Sequence, residues 1–223
     1  MLPRSQAPLL ERPSLEYHYA FDLCAMEAWR EGGPVAVYAS SAFYANELLW
    51  RVDKQAVNGL PDGKTDKRTG EGGLPIVCFA KDRRLSSVQA AIWAEPEREG
   101  GQGILEGIVQ GLAPGGRLYV IVSGWLARFL PEWQAAGARP ARQRAGWWWT
   151  LRRLRQAGLA TEELYGFQVP ASLLWGYTGL ALERLGRTDR ADRCHFRMRA
   201  EYVARGRMAL VTPVGVFVAR KAG

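Results

Sequence analysis

The stretch that most constrains this chain is Gln89–Gly124, QAAIWAEPEREGGQGILEGIVQGLAPGGRLYVIVSG. Ala90–Ala94 is an apolar run of strand length closed by Glu95-Pro96. A run of that kind suits a strand buried on both faces. Gly103–Leu112 then sets Ile104, Leu105, Ile108, Val109 and Leu112 at helical spacing. Ala113-Pro114-Gly115-Gly116 stops that helix, because proline cannot continue it and glycine accepts positive φ. Leu118–Val122 is a second continuous apolar run. Strand, helix, tight turn and strand make a βαβ unit, and two such strands call for a parallel sheet covered on both sides.

Apolar strand, helix and then L-x-P-G-G-R-L-x-V (Leu112–Val120) resembles the fourth and fifth strands of class I S-adenosylmethionine-dependent methyltransferases. The resemblance runs from about Glu16 to Lys221. It implies an α/β fold: a Rossmann-like, doubly wound, mostly parallel sheet with an antiparallel edge strand. Around the central unit, a helix from Ser14 through Ala28 leads into a first strand at Val35–Ala39. Leu74–Asp82 resembles the family's third strand, and Val214–Ala219 its closing antiparallel strand, placed at one edge. Lys54–Gly73 is rich in glycine, lysine and aspartate and poor in apolar residues, so it predicts a mobile loop and a shortened second βα unit. Residues 1–14, with three prolines, predict an extended arm before a single domain over 15–223.

At 223 residues the chain can enclose one substantial core. No run approaches the ~18 apolar residues of a membrane span, so no transmembrane segment is expected. MLPRSQAPLLERPS has proline and glutamate where a signal peptide has its apolar centre, which makes a cytoplasmic location the expectation. Cys24, Cys78 and Cys194 form no CxxC pair and read as buried thiols. With His18 and His195 the only histidines, no metal site is expected. Of the 30 basic residues, 18 lie from Arg117 onward, against 7 of the 22 acidic ones. An imbalance of that kind fits an arginine-rich solvated surface, or contact with nucleic acid, an anionic membrane or an acidic partner.

The resemblance also nominates a site. In the family the cofactor, S-adenosylmethionine, meets a glycine-rich turn after strand one, where bare backbone admits it. Here VAVYASSAFYANELLW puts Ala39, Ser41 and Phe43 near the glycine positions, and Val37 where an acidic residue is usual. Ala39 and Ser41 are therefore the expected cofactor contacts. Asp53 is the substitute for the ribose-binding acidic residue, and Asp82 matches the aspartate that reaches the adenine amino group. Glu95 stands where a general base or orienting acceptor would sit. Tyr44, Trp93 and Trp148 are expected to line the substrate side.

Downstream, Trp125–Trp133 and Ala141–Gly158 have helical pattern. Three adjacent tryptophans, Trp147–Trp149, must point in three directions on a helix, so not all can enter the core. LRQAGLATEELYGFQV resembles the family's helix, Ala-Gly, strand-six step. Residues 173–205 predict a helical insertion of two helices, 173–185 and 190–205, with Ala191, Cys194, Met198 and Tyr202 as one stripe. Met208–Val211 adds a run ahead of the closing strand.

Three functions follow. One is a methyltransferase acting on a small aromatic or apolar acceptor. The second is a catalytically inactive protein of the same fold, serving as a binding or structural partner in an oligomer or hetero-complex. The third is a nucleic-acid binder using the arginine-rich half, although no compact recognition motif supports it.

Overall fold

The computed structural model describes residues 15–39, 42–58, 76–78, 87–96, 101–124, 126–127, 146–200 and 202–223. Helix α1 (Leu15–Arg30) leads into strand β1 (Val35–Ala39). Its Tyr17, Ala20, Phe21, Cys24, Ala25 and Ala28 are buried, the three-and-four spacing of a single stripe. Gly32 and Gly33, with φ of 64° and 116°, turn the chain into the sheet, a conformation that side chains resist. Helix α2 (Ala42–Asn58) follows β1 and packs on α1. The buried Arg51 of α2 fastens the two helices by donating to Asp22 of α1 at 2.8 Å, and it also donates to Glu47 one turn back in α2 at 2.6 Å.

Strands β2 (Ile76–Cys78) and β3 (Val88–Ala94) come next, followed by helix α3 (Gly101–Gly111) and strand β4 (Leu112–Ser123). Helix α4 (Trp147–Gln156), strand β5 (Leu159–Phe167), helices α5 (Pro170–Arg184) and α6 (Thr188–Ala200) and strand β6 (Val203–Arg205) complete most of the rest. A 3-10 turn at Gly206–Val211 precedes strand β7 (Val214–Lys221).

The described strands form one sheet in the order β2-β1-β3-β4-β7-β5-β6. β2, β1, β3 and β4 are mutually parallel, while β7 is antiparallel to both β4 and β5. One face, with Val35, Val37, Ile92, Tyr119 and Val216, is covered by α1 and α2. The other, with Ala36, Ala91, Trp93, Val120 and Phe217, is covered by α3 and α4. Alternate residues of each strand thus go to opposite cores, which is why the central strands read as unbroken apolar runs. The fold is Rossmann-like and doubly wound.

Several expectations change in detail. The closing strand is antiparallel as expected but does not lie at an edge. β7 sits between β4 and β5, and the short β6 is the antiparallel edge. Both backbone edges of β7 are paired, one with β4 and the other with β5, which leaves it no free edge. β2 pairs directly with β1, Val35 opposite Ile76, so it takes the place beside the first strand rather than that of a third. Helix α2 continues to Asn58, so the loop expected from Lys54 begins no earlier than residue 59. Residues 59–75 lie outside the described residues, as do 1–14. Leu112–Gly116 belongs to β4, because Leu112 pairs with Val88 before a register shift. The second inserted helix ends at Ala200, and Met208–Val211 is a 3-10 turn instead of strand.

Candidate functional site

The sheet reverses direction of growth at β1. The chain passes from β1 outward to β2, then returns to lay β3 on the other side of β1. A crevice forms beyond the carboxyl ends of strands at such a switch point, and open α/β sheets bind their ligands there. Here the ends of β1 and β3 are Ala39 and Ala94, which pair with one another.

Glu95 follows directly. Its residue is only 4% exposed, and its backbone φ is 53°. The left-handed region is uncommon for a side chain of this size, and the following Pro96 disfavours helical geometry further. A backbone held in that state is over-determined by its surroundings, and strain of this kind gathers at functional sites. The surroundings are visible. The Glu95 amide donates to the Ile121 carbonyl of β4 at 2.9 Å. Ser123, at the end of β4, donates its hydroxyl to Glu95 Oε1 at 2.5 Å. Tyr17 of α1 donates to the same oxygen, and its hydroxyl lies 2.7 Å from Ser123 Oγ.

Each hydroxyl has one proton, so the three groups have three arrangements. Both hydroxyls donate to Oε1, or Tyr17 donates to Ser123 and Ser123 to Glu95, or Ser123 donates to Tyr17 and Tyr17 to Glu95. Burial holds the Tyr17 phenol well above its ordinary pKa, with the Glu95 charge adding to the effect. It stays a donor throughout the neutral range. Tyr44, in the first turns of α2, stacks on Tyr17 with ring centroids 5.3 Å apart and planes at 19°. Phe21 closes the group, edge-on to Tyr44 at 5.5 Å.

Of the residues the sequence nominates, Ala39, Tyr44 and Glu95 come to this end of the sheet. Trp93 does not join them: it pairs with Tyr38 in register and points into the opposite core, near Gly101 of α3. Trp148 is 74% exposed on α4. Asp53 lies deep in α2, after the helix has left the switch point, rather than at the end of a strand. Ser41 and Asp82 lie outside the described residues. Tyr17 and Ser123 are the site residues the sequence did not single out. Their signals were small: a polar-tipped ring at the head of the α1 stripe, and a serine closing the apolar run LYVIV.

No protein-family model matches this sequence, and no curated protein does. Among solved structures it is similar to an S-adenosylmethionine-dependent methyltransferase of Thermotoga maritima, at 13% identity and a TM-score of 0.49, over 92% of this chain and 91% of that one. It is similar as well to the geranyl diphosphate C-methyltransferase of Streptomyces coelicolor A3(2), at 13% identity and a TM-score of 0.46, over 92% and 79%. The likeness is one of fold. Similarities this remote carry nothing about cofactor or acceptor, which rest on the residues above. Among the described residues no group of histidine, cysteine and carboxylate side chains could hold a metal ion. No described helix is long and apolar enough to cross a membrane.

Proposed function

We propose that the chain is a divergent class I methyltransferase, with residues 15–223 as one unit, that binds S-adenosylmethionine at the switch point. The observation that carries this reading is Glu95, a buried carboxylate on a left-handed backbone at the carboxyl end of β3, held by Tyr17 and Ser123. The described residues fit the cofactor's chemistry: a carboxylate and the faces of tyrosine rings both attract a sulfonium cation. Ala39, small and half-buried, would let the cofactor approach β1. Ser41 and Asp82 remain proposed cofactor contacts by their positions in the sequence, and Trp148 a proposed acceptor-side residue. The cofactor supplies an electrophilic methyl group when bound. The chain's share is to hold it in line with the acceptor, and orientation of this kind accounts for much of the rate in transfers between two bound molecules. Glu95 then orients the acceptor or takes its proton, with Tyr17 and Ser123 fixing the carboxylate. The aromatic group of Tyr17, Tyr44 and Phe21 favours a small aromatic or apolar acceptor.

A second reading has its own observation. Tyr17, Glu95 and Ser123 are each nearly inaccessible and bonded to one another. A carboxylate so engaged can serve the fold alone, and the chain would then be a catalytically inactive partner subunit. Calorimetry separates the two. The enzyme reading expects S-adenosylhomocysteine and S-adenosylmethionine to bind with dissociation constants of ~1–100 μM. Glu95→Gln should weaken the cationic S-adenosylmethionine about fivefold more than the neutral thioether, the usual scale of one charge-assisted contact. If the native protein binds neither compound, the inactive-partner reading stands.

A further inference from the structure

Helices α5 and α6 form an antiparallel hairpin between β5 and β6 whose main packing, among the described elements, is with each other. The inner faces meet through Ser172, Gly179, Ala191 and Cys194, and His195 lies against Gly179 with its Nε2 3.0 Å from Glu183 Oε1. The outer face of α5 is unusual. Pro170–Leu182, PASLLWGYTGLAL, holds no charged residue, yet Leu174 is 65% and Tyr177 70% exposed, with Leu180 exposed beside them. Leu174, Tyr177, Ala181 and Arg184 follow at three- and four-residue steps, one stripe along one face. At the tip of the hairpin Leu185 is 72% exposed, flanked by the exposed Arg184 and Arg187.

An apolar helical stripe ending in arginines has the chemistry of a helix that lies in a lipid interface, its apolar side chains among the acyl ends and its cations at the phosphates. We infer that the outer face of α5, with the tip of the hairpin, docks on an anionic bilayer surface. Charge complementarity selects this occupant. The chain carries a formal +8, and six arginines lie from Arg184 to Arg199 against two acidic residues, Asp189 and Asp192. Two copies meeting through this face would bring basic hairpin to basic hairpin, whereas an anionic surface neutralises them. Contact would be peripheral, since α5 is too short to span a bilayer. The inference is independent of what the switch point binds.

Co-sedimentation of the full chain with phosphatidylcholine vesicles, and with vesicles of mixed phosphatidylcholine and phosphatidylglycerol, tests it. Binding is expected to the mixed vesicles, to fall with added salt, and to be weak on phosphatidylcholine alone. Leu174→Glu with Tyr177→Glu should lower binding about tenfold or more, and Arg184→Glu with Arg187→Glu by a similar factor. Both pairs change exposed positions, and circular dichroism checks that each variant is folded. Absence of binding at low salt would overturn the inference, as would a stripe variant that binds like the native protein. A native dimer in lipid-free solution that the stripe variant converts to monomer would overturn it too, and assign the face to a second copy.

Discussion

Two aromatic groups lie back to back across the same central strands, and they behave differently. Beneath α1 and α2, Tyr17, Phe21 and Tyr44 form one aromatic group, and the Tyr17 and Ser123 hydroxyls bond the Glu95 carboxylate at the ends of β3 and β4. Beneath α3 and α4, Trp93, Trp147 and Phe217 pack as a dry layer. Trp147 stands edge-on to Phe217 at 5.2 Å, and any side chain on Gly215 would collide with its ring. Its indole nitrogen is buried with no hydrogen-bond partner among the described residues. Tryptophan usually finds a partner for that N–H, so the ring is held here by shape. The contrast separates aromatic residues that build the sheet from those that stand around chemistry. Polar atoms bonded to one another, more than ring count, mark the second kind.

The largest effect should come from the dry side. Trp147→Ala removes a buried indole that Gly215 makes room for, and the core cannot collapse fully into the gap. A loss of ~3–5 kcal/mol in unfolding free energy is expected from urea titration. Affinity for S-adenosylhomocysteine should not change in the fraction that remains folded. A large loss of affinity with little loss of stability would erase the distinction between the two faces.

The polar side should show itself at alkaline pH. Burial raises the pKa of Tyr17, Tyr119 and Tyr202, all three in the core under α1 and α2; the Glu95 charge adds to the first, Glu31 to the second and Glu16 to the third. A phenol whose folded pKa exceeds its unfolded value of 10.0 contributes its full stability below that value. Above it the unfolded chain releases the proton and the folded chain keeps it, so stability falls as pH rises. Each such tyrosine contributes a slope of about 1.4 kcal/mol per pH unit. Tyr17→Phe should flatten the slope by one proton in unfolding titrations above pH 10. An unchanged slope would mean that Tyr17 is accessible to solvent.

The parallel centre of the fold was legible because continuous apolar runs have one stable use in an α/β chain, burial on both faces. Val35–Ala39, Ala90–Ala94 and Leu118–Val122 all became neighbouring strands. Placement of β7 was harder to read, since Val214–Ala219 announces burial but not which strands flank it. That depended on Leu159–Phe167 pairing with β7 in turn, a contact remote in sequence. Glu95 stood out because it ends an apolar run. Tyr17 did not: a tyrosine in an apolar helical stripe looks the same whether its hydroxyl is solvated or reaches a carboxylate 78 residues away. Trp93 misled for a related reason. Period-two alternation would put Trp93 and Glu95 on one face, but Glu95 lies past the end of β3 with φ of 53°, where the alternation breaks. Its carboxylate therefore meets Tyr17 while the Trp93 ring stays in the opposite core.

Trp148 offers the smallest effect and the finest test of the comparison. It is flanked by the buried Trp147 and the half-buried Trp149, and Trp149 lies against the position a side chain on Gly101 would take. Trp148 itself is turned outward and is 74% exposed. Removing a ring that is mostly in water gives up little apolar burial, so Trp148→Ala should change unfolding free energy by no more than about 0.5 kcal/mol. Its neighbour should cost several times as much, although the two residues are chemically identical and adjacent in sequence. If Trp148→Ala instead weakens cofactor or acceptor binding at unchanged stability, α4 belongs to the binding surface. The division between a dry structural face and a polar functional face would then fail at this helix.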